Sequence, residues 1–513
     1  MSDRRIPEVH PVDTRNLLHT EKLIFEQGAP GRSGASLPPL DVPEIDPKSL
    51  FGAMARTEAP LLPEVSEVEV TRHFTRLSRW NYAIDIGLYP LGSCTMKYNP
   101  KVNERTARLP GFAGVHPMQL ESTMQGALEL MWRLEKCLIE LTGFARVTLQ
   151  PAAGAHGELC GIMMVRAYHT ARGKSPKKVL IPDSAHGTNP ATCAANGLEV
   201  VGLKTGADGI IDIASVKAAI AAHPDDIAGI MITNPSTLGL FEEHLGEIAD
   251  LVHEAGGLVY MDGANFNALL GKVRPGASGV DVMHINLHKT FTTPHGGGGP
   301  GSGVVGVGER LVPFLPTPMV EPSSDNGGGD GYRLDYDRPQ SIGRMRSFFG
   351  NFGMFVRAYT YMRELGGAGL TKATEMAVLN ANYVRALLSD VYSLAYDKPS
   401  MHEVVFTDKR LKKETGVQTL DVAKRLIDFG YHPPTIYFPL PAVTGGAGAL
   451  MIEPTETEAP ETLEHFCAAM RAIAVEAITD PSIAKSAPLN TAMRRLDETK
   501  AARTPKLRWT PTT

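Results

Sequence analysis

The chain has 513 residues and a mass of 55.3 kDa, enough for two large or about three ordinary domains, which excludes a small cross-linked scaffold or a lone binding module. Hydrophobic residues at 43% and charged residues at 21% are near globular averages, which excludes global disorder and a coiled coil. With 51 Lys plus Arg against 56 Asp plus Glu the formal charge is −5, too balanced for a general nucleic-acid or membrane binder.

Residues 1 to 65 are rich in proline (Pro30, Pro38, Pro39, Pro43, Pro47, Pro60, Pro63) with little periodicity, and read as an extended arm that wraps something. The N-terminal MSDRRIPEVHPVDTRNLL has no apolar run of signal-peptide length, and no apolar stretch reaches about 18 residues. Cys94, Cys137, Cys160, Cys193 and Cys467 are scattered without a Cys-x-x-Cys pair, which argues against disulfides and structural zinc and for a reducing, cytoplasmic location. No metal site is expected.

From Glu121, apolar residues at helical spacing (Leu128, Met131, Trp132, Leu138, Leu141) predict a helix that stops at Gly143. Between 145 and 310 the apolar runs RVTLQ, KKVLIP, LEVVGLK, IAGIMIT, GLVYMD, VMHINL and GVVGV alternate with helical segments such as SVKAAIAA and LGEIADLVHEAGG. That alternation predicts an α/β domain with a mainly parallel sheet and ligands at the carboxyl ends of its strands. A Gly/Pro/Asp-rich stretch (PSSDNGGGDGYRLDYDRP) and a helical pattern over 348–395 follow, then short strands (EVVFT, TIYFPL, GALMIE) and the helix ETLEHFCAAMRAIAVEA. The expected division is an arm and helical segment over 1–120, a large α/β domain over 121–335 and a smaller one over 336–513.

Four motifs carry chemistry. QPAAGAHGELCGIMMVRAYH runs from a strand through small residues (Ala153, Gly154, Ala155) into a helix, where amides and the helix dipole would cradle a phosphate, unless it is an ordinary βα turn. IPDSAHGTNPAT puts His186 past a strand end, suited to covering a planar ring or to capping the next helix. LVYMDGANFNA ends a strand in Asp262, suited to a ring nitrogen, a metal or a ribose, or to starting a turn. VMHINLHKTFTTPHGGGGPGSG ends a strand near Lys289, an amine that can condense with an aldehyde if it does not simply face solvent. Gly296, Gly298 and Gly301 formally spell G-x-G-x-x-G but precede a strand, so a Rossmann site is rejected. No Walker loop, His-Glu-x-x-His or Gly-x-Ser-x-Gly occurs. Phosphate cradle, ring-facing histidine, acid and lysine in that order are the set pyridoxal phosphate needs.

The segments YPLGSCTMKYNPKVNE, LQPAAGAHGE, PDSAHGTNP, MITNPSTLGLFE, DGANFNA and LHKTFTTPHGGGGPGSG, spread over residues 60 to 360, resemble the P-protein family of the glycine cleavage system, the decarboxylating glycine dehydrogenases. The resemblance implies a fold-type I pyridoxal-phosphate enzyme. Lys289 would carry the cofactor, Asp262 hold the pyridine nitrogen and His186 stack on the ring; beside the resemblance, the residues themselves offer Ala153, Gly154 and Ala155 as the phosphate loop, and His288 as a phosphate contact, a proton carrier or a purely positional neighbour of Lys289. It implies glycine decarboxylation with transfer of the aminomethyl group to the lipoyl arm of the H-protein. Single-chain relatives carry two homologous halves and this chain resembles the second, so the resemblance also implies a separate subunit 1 (α subunit) in an α2β2 assembly. The proline-rich arm and LGSCTMKYNP are candidates for contacting that subunit. Thr290 could direct protons, Cys94 could be a redox switch or a buried thiol, and Arg344 and Arg346 could meet an anion or solvent. Competing readings are another pyridoxal-dependent decarboxylase or aminotransferase, and a noncatalytic scaffold subunit, which would have no use for the Lys289 set.

Overall fold

A computed structural model of the chain describes residues 7–12, 21–58, 60–295, 300–323, 331–436 and 446–510. Each of the seven apolar runs is a strand of one sheet: β1 Arg146–Thr148, β2 Lys178–Pro182, β3 Glu199–Leu203, β4 Ile227–Thr233, β5 Leu258–Gly263, β6 Val282–Asn286 and β7 Gly303–Val307. The order is β1-β7-β6-β5-β4-β2-β3. Strands β2 to β6 pair in parallel, and β7 runs antiparallel to β1 and β6. Every residue of β4, β5 and β6 is buried, because helices cover both faces of a parallel sheet, and this is why these strands read as unbroken apolar runs.

The helix predicted from Glu121 spans Gln125–Thr142 and ends on Gly143 at φ 74°, a left-handed cap that glycine adopts without cost. Two predicted helices are Ile213–Ala222 and Leu245–Glu254. The glycine-rich stretch is not wholly a connector: its Gly331–Asp335 is β9, paired antiparallel with β8 Met319–Ser323. Cross-strand pairing outweighed the turn-like composition there. The long helix is Phe352–Leu388, with Gly366 at φ 61° marking a kink. Phe355, Tyr361 and Met362 on its first half enter the main core, and Val384 and Leu388 at its end enter a second core.

That second core lies under the antiparallel sheet β10 Ser393–Leu394, β11 Val404–Thr407 and β12 Ala449–Ile452, covered by the helices Thr419–Asp428 and Pro460–Thr479. EVVFT and GALMIE are thus strands. Of TIYFPL, Thr435 makes only an isolated bridge to Met451, and 437–440 fall outside the described residues. The arm exposes Leu37, Leu40, Leu61 and Leu62, each at least 67% accessible. LGSCTMKYNP, a candidate for contacting a partner, anchors part of itself inside the chain while Tyr98 stays 41% exposed. Gly92 N–H donates to Met451 O, and Thr95 and Lys97 are buried. A lysine with three intrachain acceptors is held more firmly inside than a rim contact would hold it.

Candidate active site

The carboxyl ends of β1, β2, β5 and β6 converge on a cleft of about 140 Å3 lined by Gly154, Ala155, Glu158, His186, Asp262 and Lys289, among others. The β1 loop enters the helix Gly154–Ala171 at Ala153, whose side chain caps nothing, so amides of the first turn are open to an anion. Glycines let this helix start press on the sheet. A Cβ on Gly303 would lie 1.9 Å from Ala153 O, and one on Gly154 would lie 2.7 Å from Asn286 Oδ1.

Asp262, at the end of β5, is 3% exposed. Its Oδ1 accepts the Ala264 N–H at 2.9 Å and its Oδ2 accepts Asn189 Nδ2 at 3.1 Å, while His284 Nε2 stands 3.2 Å from Oδ1. Burial pushes this carboxyl up, but the His284 ring, these two N–H donors and the Lys289 charge outweigh it and hold the carboxyl below its ordinary range. The Tyr260 hydroxyl lies 2.6 Å from His284 Nδ1. If it donates there, the ring carries its N–H on Nε2, toward Asp262.

Lys289 sits in the helical turn Leu287–Thr290 that follows β6. Its Nζ donates to Ser93 O at 3.0 Å, and Ser93 holds φ 62°, a left-handed conformation uncommon outside glycine. His186 is exposed, with Nδ1 2.8 Å from Thr188 Oγ1; that hydroxyl donates to Glu158 Oε1 at 2.7 Å. His288 turns away from the cleft lining: its Nδ1 accepts the Ser302 N–H at 3.2 Å, and its ring meets His295 edge-on at 5.1 Å. Burial, with the charges of His295 and Lys289, pushes its pKa down to about 3.

The structure therefore gathers Gly154, Ala155, His186, Asp262 and Lys289 around one cleft, with Ala153 at the N-cap of the helix that enters it. Gly296 and Gly298 lie outside the described residues, and Gly301 precedes β7. Arg344 is exposed over the Tyr336 ring. Arg346 is half-buried near His156, with Nη1 unpartnered. Cys94 Sγ lies 3.5 Å from His295 Nδ1, and burial raises its thiol pKa, which suits a structural thiol better than a reactive one. Thr290 contributes its carbonyl, which accepts Lys97 Nζ at 2.9 Å.

Glu158, His284, Asn189, Ser93 and Lys97 were not anticipated. Glu158 had a signal: the one carboxylate in its helix, one turn after Gly154 and on its face. The set suits pyridoxal phosphate. Thr233 Oγ1 and Asn286 Oδ1 are buried in residues that line the cleft and have no hydrogen-bond partner within the chain, and an uncapped helix start faces the same space.

The chain matches the family model described as Glycine cleavage system P-protein over residues 43–431, and that described as Glycine dehydrogenase, C-terminal domain over 373–493. It is 56% identical over 490 residues to a probable glycine dehydrogenase (decarboxylating) subunit 2 of Caldanaerobacter subterraneus subsp. tengcongensis, covering 95% of this chain and 98% of that one. It is 55% identical over 496 residues to the same-named protein of Lysinibacillus sphaericus, covering 96% and 99%. A solved glycine decarboxylase (P-protein) of the glycine cleavage system, in inhibitor-bound form, superposes with TM-score 0.68 at 21% identity over 83% of this chain and 93% of that one. Lactobacillus brevis glutamate decarboxylase superposes with TM-score 0.62 at 15% identity over 84% and 98%. These two share its fold.

Proposed function

The chain belongs to the P-protein family of the glycine cleavage system, and from that premise we propose that its own cleft holds pyridoxal phosphate on Lys289. It is a decarboxylating glycine dehydrogenase subunit, which releases carbon dioxide from glycine and passes the aminomethyl group to the lipoyl arm of the H-protein. The observation that supports placing the cofactor here is the meeting of Lys289, Asp262 and an uncapped helix start in one cleft.

Pyridoxal phosphate supplies an aldehyde that captures the glycine amine and a ring that accepts the electron pair left by the departing carboxylate. Everything else falls to the chain. Lys289 would hold the aldehyde, and Ser93 O, which accepts Lys289 Nζ in the unloaded chain, is placed to hold that amine whenever it is free. Asp262 stays ionised, aimed by Asn189 and Ala264, and holds a proton on the ring nitrogen; His284 and Tyr260 hold the acid in turn. First-turn amides at Gly154 and Ala155 take the phosphate. His186, tied through Thr188 to Glu158, covers one ring face. His288 acts from outside the cleft, fixing the turn that carries Lys289 through Ser302.

We further assign the boundaries 1–120, 121–335 and 336–513 to arm, cofactor domain and smaller domain. The exposed leucines of the arm fit a hydrophobic seat on a subunit 1 partner, in an α2β2 assembly that receives the lipoylated H-protein. No described helix is long and apolar enough to cross a membrane. The five free thiols suit the cytoplasm.

The test is a visible absorption spectrum of the chain after addition of pyridoxal phosphate, then a glycine titration, alone and with subunit 1. A lysine-bound cofactor band that responds to glycine is expected, and it should be absent from Lys289→Ala. The same band in that variant would disprove the assignment.

A further inference from the structure

Two buried carboxyls outside the cleft have no part in the chemistry above, yet both grip the strap that receives Lys289. Glu403 precedes β11 and Glu453 follows β12, and because Val404 pairs with Ile452 the two stand opposite each other at one edge of the smaller sheet. Both are 0% exposed. Each commits one oxygen to the strap: Glu403 Oε2 accepts the Ser93 N–H at 2.7 Å, and Glu453 Oε1 accepts the Thr95 hydroxyl at 2.5 Å. The remaining oxygens, Glu403 Oε1 and Glu453 Oε2, are buried and have no partner. Polar atoms of both carboxyls and of His402 lie within 4.8 Å of one another.

No described cation is bonded to either carboxyl. His402 Nε2 is 3.4 Å from Glu403 Oε1, but burial and the Lys289 charge push that imidazole down to about 3, so it is neutral. The other groups facing the pair are Lys289, whose ammonium is directed at Ser93 O; Lys97 and Glu456, paired with each other at 2.6 Å; and the Cys94 thiol. Two ionised carboxylates opposed without a bonded cation in a dry interior are too costly for two strap hydrogen bonds to offset. We propose that Glu403 and Glu453 hold one proton between them in the folded chain, and that this acid–carboxylate pair positions the Ser93 carbonyl for Lys289. Burial raises Glu453 to about 7, and burial with the Glu453 charge raises Glu403 well above its ordinary range, in keeping with a retained proton.

The pair explains how a serine is kept in a left-handed conformation next to the site. Gly92 on one side is bonded to Met451 O, and Thr95 on the other to Glu453. Glu403 thus acts through Ser93, as a positioning residue one peptide unit from the amine. The positioning role rests on Lys289 being the cofactor lysine; the shared proton does not.

The test uses the full chain without cofactor, as wild type, Glu403→Gln and Glu453→Gln, unfolded by denaturant between pH 4.5 and 8. A folded-state pKa raised from 4.5 to about 7 means that the native state binds the extra proton, so the contribution of this pair to stability, read as wild type minus variant, falls as pH rises across that window, on the order of 100-fold in the folded-to-unfolded ratio. Either Gln variant should remove that fall, since an amide replaces the protonated partner; if one fails to fold, the other carries the comparison. An unchanged fall in a folded variant would overturn the shared proton, as would a stoichiometric divalent metal lost in the variants. For positioning, pyridoxal phosphate affinity should survive Glu403→Gln, whose amide oxygen can still accept the Ser93 N–H, and drop at least tenfold in Glu403→Ala. Equal affinities in the two would overturn positioning, whereas a cofactor band persisting in Lys289→Ala would overturn only the assignment of that lysine.

Discussion

At the scale of single residues, the site works by putting opposite charges where burial alone would forbid them. Asp262 is ionised inside the sheet because His284, Ala264 and Asn189 compensate its desolvation. Asp262→Asn should therefore leave cofactor binding measurable while lowering the glycine decarboxylation rate by about 100-fold or more. Isotope exchange between carbon dioxide and the glycine carboxylate would show it, and near-normal exchange would remove Asp262 from its role. His288 behaves oppositely. With its pKa pushed down to about 3 against about 6.5 in an unfolded chain, it binds a proton more readily once unfolded. Its contribution is fully present above pH 6.5 and is lost as pH falls toward 3. His288→Gln should flatten that part of the acid-unfolding curve, measured by denaturant melts from pH 7 down to 4.

At the scale of elements, the proposed phosphate corner depends on close approach of strand and helix. Because a Cβ on Gly303 would meet Ala153 O at 1.9 Å, Gly303→Ala must push β7 away from the start of Gly154–Ala171. The expected cost is about 1–3 kcal/mol of stability, with weaker cofactor binding from a displaced helix start; thermal melts and cofactor titration read the two effects separately. The strands were legible because buried parallel strands are nearly all apolar, and the candidate site residues stood out because they lie at or just past the ends of those strands. The β9 strand was not legible, since its partner β8 lies across a glycine-rich stretch that reads as a turn. Neither was the two-residue β10, held only by its register with β11.

At the scale of the whole molecule, Lys97 joins what the sequence keeps apart. Its buried ammonium meets Asn267 after β5, the Thr290 carbonyl beside Lys289 and Glu456 of the smaller unit. Lys97→Met leaves Glu456 and its neighbours without a cation and should cost about 3–5 kcal/mol, while adding Glu456→Gln should recover part of that. A double-mutant cycle on unfolding free energy checks the coupling, and simple additivity would show the two side chains to be independent.

Local pattern in the chain was enough to determine the α/β architecture, the strand ends and the chain order of the Ala153–Ala155 loop, His186, Asp262 and Lys289, since each depends on neighbours within a few residues. The tertiary structure alone decided that Thr95 and Lys97 of LGSCTMKYNP are buried, that Ser93 receives a lysine 196 residues away, and that Glu403 and Glu453 face each other. Those contacts carry no periodicity to read: they arise where separate cores close over one cleft, and buried polar groups must then find partners wherever the fold brings them.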